Sequence, residues 1–248
     1  MLPSTTHDGR YVERREQLSE YFGATAAASW AALTSDAPTN FVRRAVRAGR
    51  EEMRQHMVSW LPARLDGLRV LDAGCGTGGL SIEVARRGAT VLGVDVADAM
   101  IAIARDRTPA AVANRVTFVT GDMLDGAFGT FDHVVAMDSL IHYAGDDMVG
   151  AIRALAERTR VSLCFTVAPR TPALVARHAL GRLFPRRNRS PEINPVPTER
   201  VKHEIGSALG NTFRVRREAR VATGFYVSQG IELVRGTPEQ LHDRRIGV

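Results

Sequence analysis

The sequence predicts an α/β fold: a seven-stranded, mostly parallel sheet of the doubly wound, Rossmann-like kind, with its last strand antiparallel. Three observations predict it. Between Leu68 and Val167 short apolar runs alternate with amphipathic stretches, the pattern of parallel strands joined by crossover helices. The first apolar run leads straight into Asp72-Ala-Gly-Cys-Gly-Thr-Gly, a turn rich in glycine that opens a helix. Finally, a helical pattern at 198–209 is followed by two strand patterns with no room for a helix between them.

In chain order, residues 1–62 read as a helical cap. Tyr11, Leu18, Tyr21 and Phe22 recur among charged neighbours at 8–22, and a polar break follows near Thr34 to Pro38. Val42, Val46, Met53, Met57 and Leu61 then repeat at helical spacing, with Arg43, Arg47, Arg50 and Arg54 on other faces, until Pro62 stops the run. Such a prefix either covers a ligand crevice or packs plainly on the sheet. Residues 63–240 read as the α/β domain. Strands are predicted at 68–71, 90–94, 116–120, 131–137, 161–167, 212–218 and 224–234, and helices at 79–87, 97–106, 147–159 and 198–209. An insert interrupts the domain at about 168–200, and 241–248 is a tail.

Composition narrows the function. The 248 residues are 44% hydrophobic, enough for a substantial core, yet no apolar run approaches the roughly 18 residues a membrane span needs. Residues 1–20 are too charged for a signal peptide, and two cysteines make a disulfide framework implausible, so a cytoplasmic protein is expected. The net charge of +6 rests on 33 basic residues of which only Lys202 is lysine. These are scattered rather than interleaved with aromatics, which argues against nucleic acid as a partner.

In an open α/β sheet ligands lie beyond the carboxyl ends of the strands, so those ends are read first. Gly74, Gly76 and Gly78 permit left-handed backbone and close approach to a ligand. The acidic residue ahead of them, Asp72, repels a pyrophosphate but accepts from an ammonium group, which favours S-adenosylmethionine over a dinucleotide. Asp95, at the end of the second strand, is placed for ribose hydroxyls. Asp122 is placed for an adenine amino group, with Val96 and Met123 as apolar contacts, and Asp138 for the methionine moiety. Met100 and Ser139 join this cofactor set, as does Cys75, a small packing residue with no evident base to make it a nucleophile. No residue is assigned to a metal.

Asp72-Ala-Gly-Cys-Gly-Thr-Gly, Gly93-Val-Asp95, Gly121-Asp122 and the strand beginning Phe131-Asp132 resemble the class I S-adenosylmethionine-dependent methyltransferases. Flanking stretches resemble a narrower family, the magnesium-protoporphyrin IX methyltransferases of chlorophyll and bacteriochlorophyll synthesis. These are Asp138-Ser-Leu-Ile-His142-Tyr143, Phe165 to Pro172 leading to Leu183 to Ser190, Gly224-Phe-Tyr-Val-Ser228, Tyr21-Phe22 with Trp30, and Val42 with Gly49-Arg50.

That resemblance implies methyl esterification of a propionate of Mg-protoporphyrin IX, with magnesium chelatase as a handover partner. It gives a functional role to His142, which orients the propionate or assists with its proton, and it admits Tyr21 as a second contributor. Trp30, Tyr143, Arg170, Leu183, Phe184, Arg186 and Arg187 are expected to meet the acceptor. In the insert, Ala176, Ala179, Leu180, Leu183 and Phe184 form an apolar stripe ending in arginines. It fits a lid over a flat macrocycle, a peripheral contact with an anionic membrane, or a solvated basic loop. Where some relatives carry tyrosine after the tryptophan, this chain has Thr34. Two other readings remain: a methyltransferase for another hydrophobic acid or quinone, and a non-catalytic docking module on a methyltransferase fold.

Overall fold

The structure, a computed structural model, describes residues 5–25, 34, 41–170 and 193–236. Helix α1 (Thr5–Glu20) runs into a single π-helical stretch at Tyr21–Thr25, and α2 (Phe41–Trp60) follows. The core then alternates as expected: β1 (Arg69–Ala73), α3 (Gly79–Arg86), β2 (Thr90–Asp95), α4 (Asp98–Asp106), β3 (Val116–Thr120) and β4 (Phe131–Ala136). It continues with α5 (Gly145–Glu157), β5 (Thr159–Val167), α6 (Thr198–Leu209), β6 (Phe213–Thr223) and β7 (Tyr226–Arg235).

The strands form one sheet in the order β3-β2-β1-β4-β5-β7-β6. Strand β1 pairs in parallel with both β2 and β4, so the chain winds outward through β2 and β3 and then returns to lie beside its starting strand. The carboxyl ends of β1 and β4 flank this switch point, where a crevice opens. Strand β7 runs antiparallel to β5 and to β6 and is the one reversed strand.

Two cores cover the sheet. On one face Leu71, Ala73, Val134, Leu163 and Phe165 pack under α5 and α6, which contribute Met148, Ile152, Leu155, Val201 and Ile205. On the other, Val70, Val91, Val135 and Cys164 pack under α2 and α3 through Met53, Met57, Trp60 and Val84. Burial from both sides is why these strands read as continuous apolar runs rather than as alternating ones. Each fully buried leucine or isoleucine stabilises the fold by about 1.5–3 kcal/mol.

Helix α2 docks on the β6–β7 pair because Gly230 leaves room: a Cβ there would stand 2.9 Å from Met53 Sδ and 3.0 Å from the Trp60 ring. Strand β6 extends to Thr223 rather than ending at 218, since pairing with β7 continues to Thr223↔Tyr226 before the chain turns at Gly224 (φ 55°). Helix α5 begins at Gly145, two residues ahead of the predicted 147, with Asp146 and Asp147 favourably placed in its first turn. Of the predicted insert, residues 171–192 lie outside those described. Its ends are tied together, the Arg170 amide donating to the Val196 carbonyl and the Val196 amide to that of Ala168, both at 2.9 Å.

Candidate active site

The glycine turn is shaped by its neighbours as much as by its glycines. The amides of Gly74 and Cys75 donate to the Val94 carbonyl at 2.8 and 3.0 Å, joining the end of β1 to that of β2. The Asp95 carboxylate accepts from the Gly76 amide at 2.8 Å and from the Ala97 amide at 3.0 Å, and so splints the turn from β2. Gly74 has φ 80°, and a Cβ on it would fall 2.3 Å from the Ser139 Cβ. Close approach of the β1 and β4 ends therefore requires glycine here. Gly78 serves from behind the turn instead: a Cβ there would press on Phe118 and Ala104, and the residue does not line the crevice.

The crevice is a cavity of about 480 Å³. Its floor carries Asp72, Gly74, Cys75 and Gly76 from β1 and the turn, and Asp95, Val96 and Met100 from β2 and α4. Met123 closes the β3 side, while Asp138, Ser139, His142 and Tyr143 arrive from the end of β4. Twelve of the residues predicted from sequence thus open onto one space.

Burial sets the protonation of this floor. Asp72, 2% exposed, has its carboxyl pushed up to about 7, mainly by burial and further by the charge of Asp95, against a 2.6 Å hydrogen bond from Ser81 Oγ. Burial also raises Asp95, opposed by the backbone amides it accepts from. The Cys75 thiol is held well above its usual range, first by burial and then by Asp72 and Asp95, which keeps it protonated and unfit as a nucleophile. A floor of buried carboxylates beside an apolar wall suits a cationic, nucleoside-bearing cofactor and disfavours a pyrophosphate.

The β4 end is organised around Asp138, a non-glycine residue at φ 54°. Its carboxylate accepts from Arg50 Nη1 of α2 at 2.5 Å and from the Tyr226 hydroxyl of β7 at 3.0 and 3.2 Å, and its amide donates to Thr166 Oγ1 at 2.7 Å. His142, 7% exposed, presents its ring to the edge of Phe22 at a centroid distance of 5.9 Å. The His142 carbonyl accepts from Arg14 Nε at 2.8 Å and Asn194 Nδ2 at 2.9 Å, so α1 and the far end of the insert both hold this segment.

Three expected residues stand elsewhere. Asp122 turns away from the cavity: its carboxylate accepts from the Tyr11 hydroxyl at 2.7 Å and Arg15 Nη1 at 2.8 Å, which pins α1 across the strand ends. Tyr11 also stacks on Tyr143, with ring centroids 4.9 Å apart. Tyr21 lies off the cavity wall, edge-on to Phe22, which the tight π-helical stretch turns inward in its place. Arg170 is exposed, its backbone used to close the insert. Trp30, Leu183, Phe184, Arg186 and Arg187 lie outside the described residues.

Other wall residues escaped the sequence reading. Arg47, Arg50, Glu51 and Arg54 of α2 face the cavity, as do Phe22 and Thr34. Thr34 meets Thr77 of the glycine turn at 3.0 Å and accepts from Arg107 Nη1 at 2.8 Å. The arginine spacing was visible in the sequence, but which face of α2 meets the crevice depends on how the helix docks.

Comparison with known proteins agrees with this geometry. Residues 136–235 match the family described as magnesium-protoporphyrin IX methyltransferase C-terminus, and residues 70–161 match a general methyltransferase domain. The chain is 46% identical, over 90% of its length and 97% of the relative's, to magnesium-protoporphyrin O-methyltransferase of Rhodobacter capsulatus. The Synechocystis protein of the same name is 34% identical over 88% of this chain and 95% of its own. A crystal structure of the Synechocystis enzyme with bound S-adenosylhomocysteine superposes with a TM-score of 0.79 at 31% identity, covering 90% of this chain and all of that one. A ubiquinone biosynthesis O-methyltransferase of Methylocella silvestris matches at 39% identity, but over only 38% of this chain and 36% of its own.

Proposed function

This chain belongs to the magnesium-protoporphyrin O-methyltransferase family, and we propose that the strand-end cavity is where it joins the methyl group of S-adenosylmethionine to a propionate oxygen of Mg-protoporphyrin IX. The oxygens of a protoporphyrin are those of its propionates, so O-methylation of this acceptor gives a propionate methyl ester. When bound, the cofactor supplies an electrophilic methyl carbon on a positively charged sulfur. Asp95 would take the ribose hydroxyls, the Gly74–Gly76 backbone and Asp72 the methionine moiety, and Val96, Met100 and Met123 the adenine, whose amino group is not assigned to Asp122.

A propionate is ionised at neutral pH, so its oxygen needs no general base. The residues around it therefore act by position. His142 holds the attacking oxygen in line with the methyl group, Phe22 and Tyr143 confine it, and α1 excludes water above them. The observation that carries this reading is that the glycine turn and His142 open onto the same cavity. His142→Ala tests it. Turnover should fall about 100-fold with affinity for S-adenosylhomocysteine retained, whereas unchanged turnover would remove His142 from the mechanism.

Two features of the acceptor bear on partners. A flat, apolar metalloporphyrin is poorly soluble, which supports direct handover from magnesium chelatase and work at a membrane surface. Among the described residues no helix is long and apolar enough to cross a membrane, so any such contact is peripheral. Co-sedimentation with the chelatase and with anionic vesicles measures each.

A further inference from the structure

The cavity is electrically divided, and the division follows the sheet. Its acidic floor, Asp72 and Asp95, belongs to the ends of β1 and β2, the side that also supplies Val96, Met100 and Met123. Its basic wall belongs to α2, which lies on the other side of the switch point: α2 packs on β6 and β7 through Met53 and Trp60, and Arg50 reaches the end of β4. His142 also stands on the β4 side. A cationic cofactor and an anionic acceptor would thus face opposite walls of one space.

Within the basic wall the arginines differ. Arg47, Arg50 and Arg54 fall at i, i+3 and i+7 of α2, on one helix face. Arg50 is joined to Asp138, and Arg54 is joined to Glu51 and Glu83, holding the Glu51 carboxyl below its ordinary value. These two keep the cavity's own carboxylates neutralised. Arg47 stands one turn nearer the start of the helix, where the exposed residues Phe41 to Arg44 give way to half-buried ones. It therefore lines the cavity next to its outer rim.

Mg-protoporphyrin brings more than one carboxylate. The one that is methylated loses its charge in the reaction, while the other keeps its charge from entry to product release and needs a lasting counter-charge. A guanidinium is never deprotonated at working pH, and its planar fork matches a carboxylate. We infer that Arg47 forms a carboxylate subsite at the rim of the cavity, holding the porphyrin propionate that is not methylated and so fixing which propionate reaches His142. This rests on the functional reading given above.

The test compares charged and uncharged porphyrins on the protein saturated with S-adenosylhomocysteine. Mg-protoporphyrin IX and its dimethyl ester are titrated by fluorescence against the wild type, Arg47→Gln and Arg47→Lys. S-adenosylhomocysteine affinity is measured separately by calorimetry, and folding by circular dichroism.

Arg47→Gln is expected to weaken binding of the diacid about tenfold or more while leaving the dimethyl ester and S-adenosylhomocysteine within twofold, with Arg47→Lys in between. An equal loss for diacid and ester would make Arg47 a packing residue, and a loss of S-adenosylhomocysteine affinity would assign it to the cofactor's carboxylate. Either result, or no change at all, overturns the subsite. If the wild type itself neither binds nor methylates the diacid, the functional reading fails instead, which separates the two.

Discussion

Arg50 of α2 and Asp138 at the end of β4, 88 positions apart in sequence, meet at 2.5 Å, with the Asp138 side chain 5% and the Arg50 side chain 23% exposed. This contact joins the N-terminal helix to the switch point of the sheet. Tyr226 supports it from β7, its hydroxyl held well above its ordinary pKa by burial and by the Asp138 charge. An ion pair this enclosed is costly to break, because removing one partner strands the other charge. Arg50→Gln should lower stability by about 3 kcal/mol, and Arg50→Gln with Asp138→Asn should recover at least a third of that loss. Denaturant titration of the two single variants and the double variant gives the coupling. Additive losses would mean the pair is incidental.

The glycine turn permits a sharper substitution. Gly74→Ala puts a methyl group 2.3 Å from the Ser139 Cβ at a backbone φ of 80°, so steric and conformational strain act together. Affinity for S-adenosylhomocysteine should fall at least about 100-fold, while Gly67→Ala, also at positive φ but in open space, should bind normally. Calorimetric titration separates them.

Asp72 links pH to both stability and cofactor affinity. Its folded value of about 7 lies above the ordinary 3.8, so the folded free protein retains a proton that the unfolded chain gives up. The resulting stabilisation is fully present below about pH 4 and is lost as pH rises through about 7. Above that pH the ionised carboxylate costs stability but favours a cationic ligand. Between pH 6 and 8 the free protein should therefore melt at falling temperature while S-adenosylmethionine binds more tightly. Asp72→Asn should weaken both trends. Ser81→Ala, which removes the hydrogen bond that lowers Asp72, should move the inflection upward. Parallel melting and binding series at several pH values check the sign.

Asp122 anchors α1 rather than an adenine. Tyr11→Phe removes a 2.7 Å donor from it and Arg15→Gln a 2.8 Å one, each worth about 1 kcal/mol at this partly buried site. Hydrogen exchange should accelerate about fivefold across Thr5–Glu20 in either variant, with α5 and the central strands unchanged. Uniform acceleration across the chain would show that α1 is not separately held.

The same residues show what the sequence made legible. The order of strands and helices, the glycine turn and the carboxylates after β1, β2 and β4 followed from local pattern, because backbone reversal at Gly74 and the apolar runs of buried strands are local demands. Asp122 was found at its strand end, yet where its side chain turns is decided by Tyr11 and Arg15, more than 100 positions away. The basic wall was hidden for a similar reason. The arginine row of α2 reads from periodicity alone, but its orientation depends on Gly230 admitting Met53 and Trp60, and on Gly49 lying against Thr223 and Tyr226. Phe22 replaces Tyr21 on the wall because a π-helical turn advances the chain differently from the α-helix that the pattern implied.

Transfer of label from methyl-labelled S-adenosylmethionine tests the central claim most directly, with Mg-protoporphyrin IX, its dimethyl ester and a ubiquinone-precursor phenol as acceptors. The account predicts label in a base-labile monomethyl ester of Mg-protoporphyrin, and none in the dimethyl ester or the phenol. Label in the phenol, with none in Mg-protoporphyrin, would contradict it.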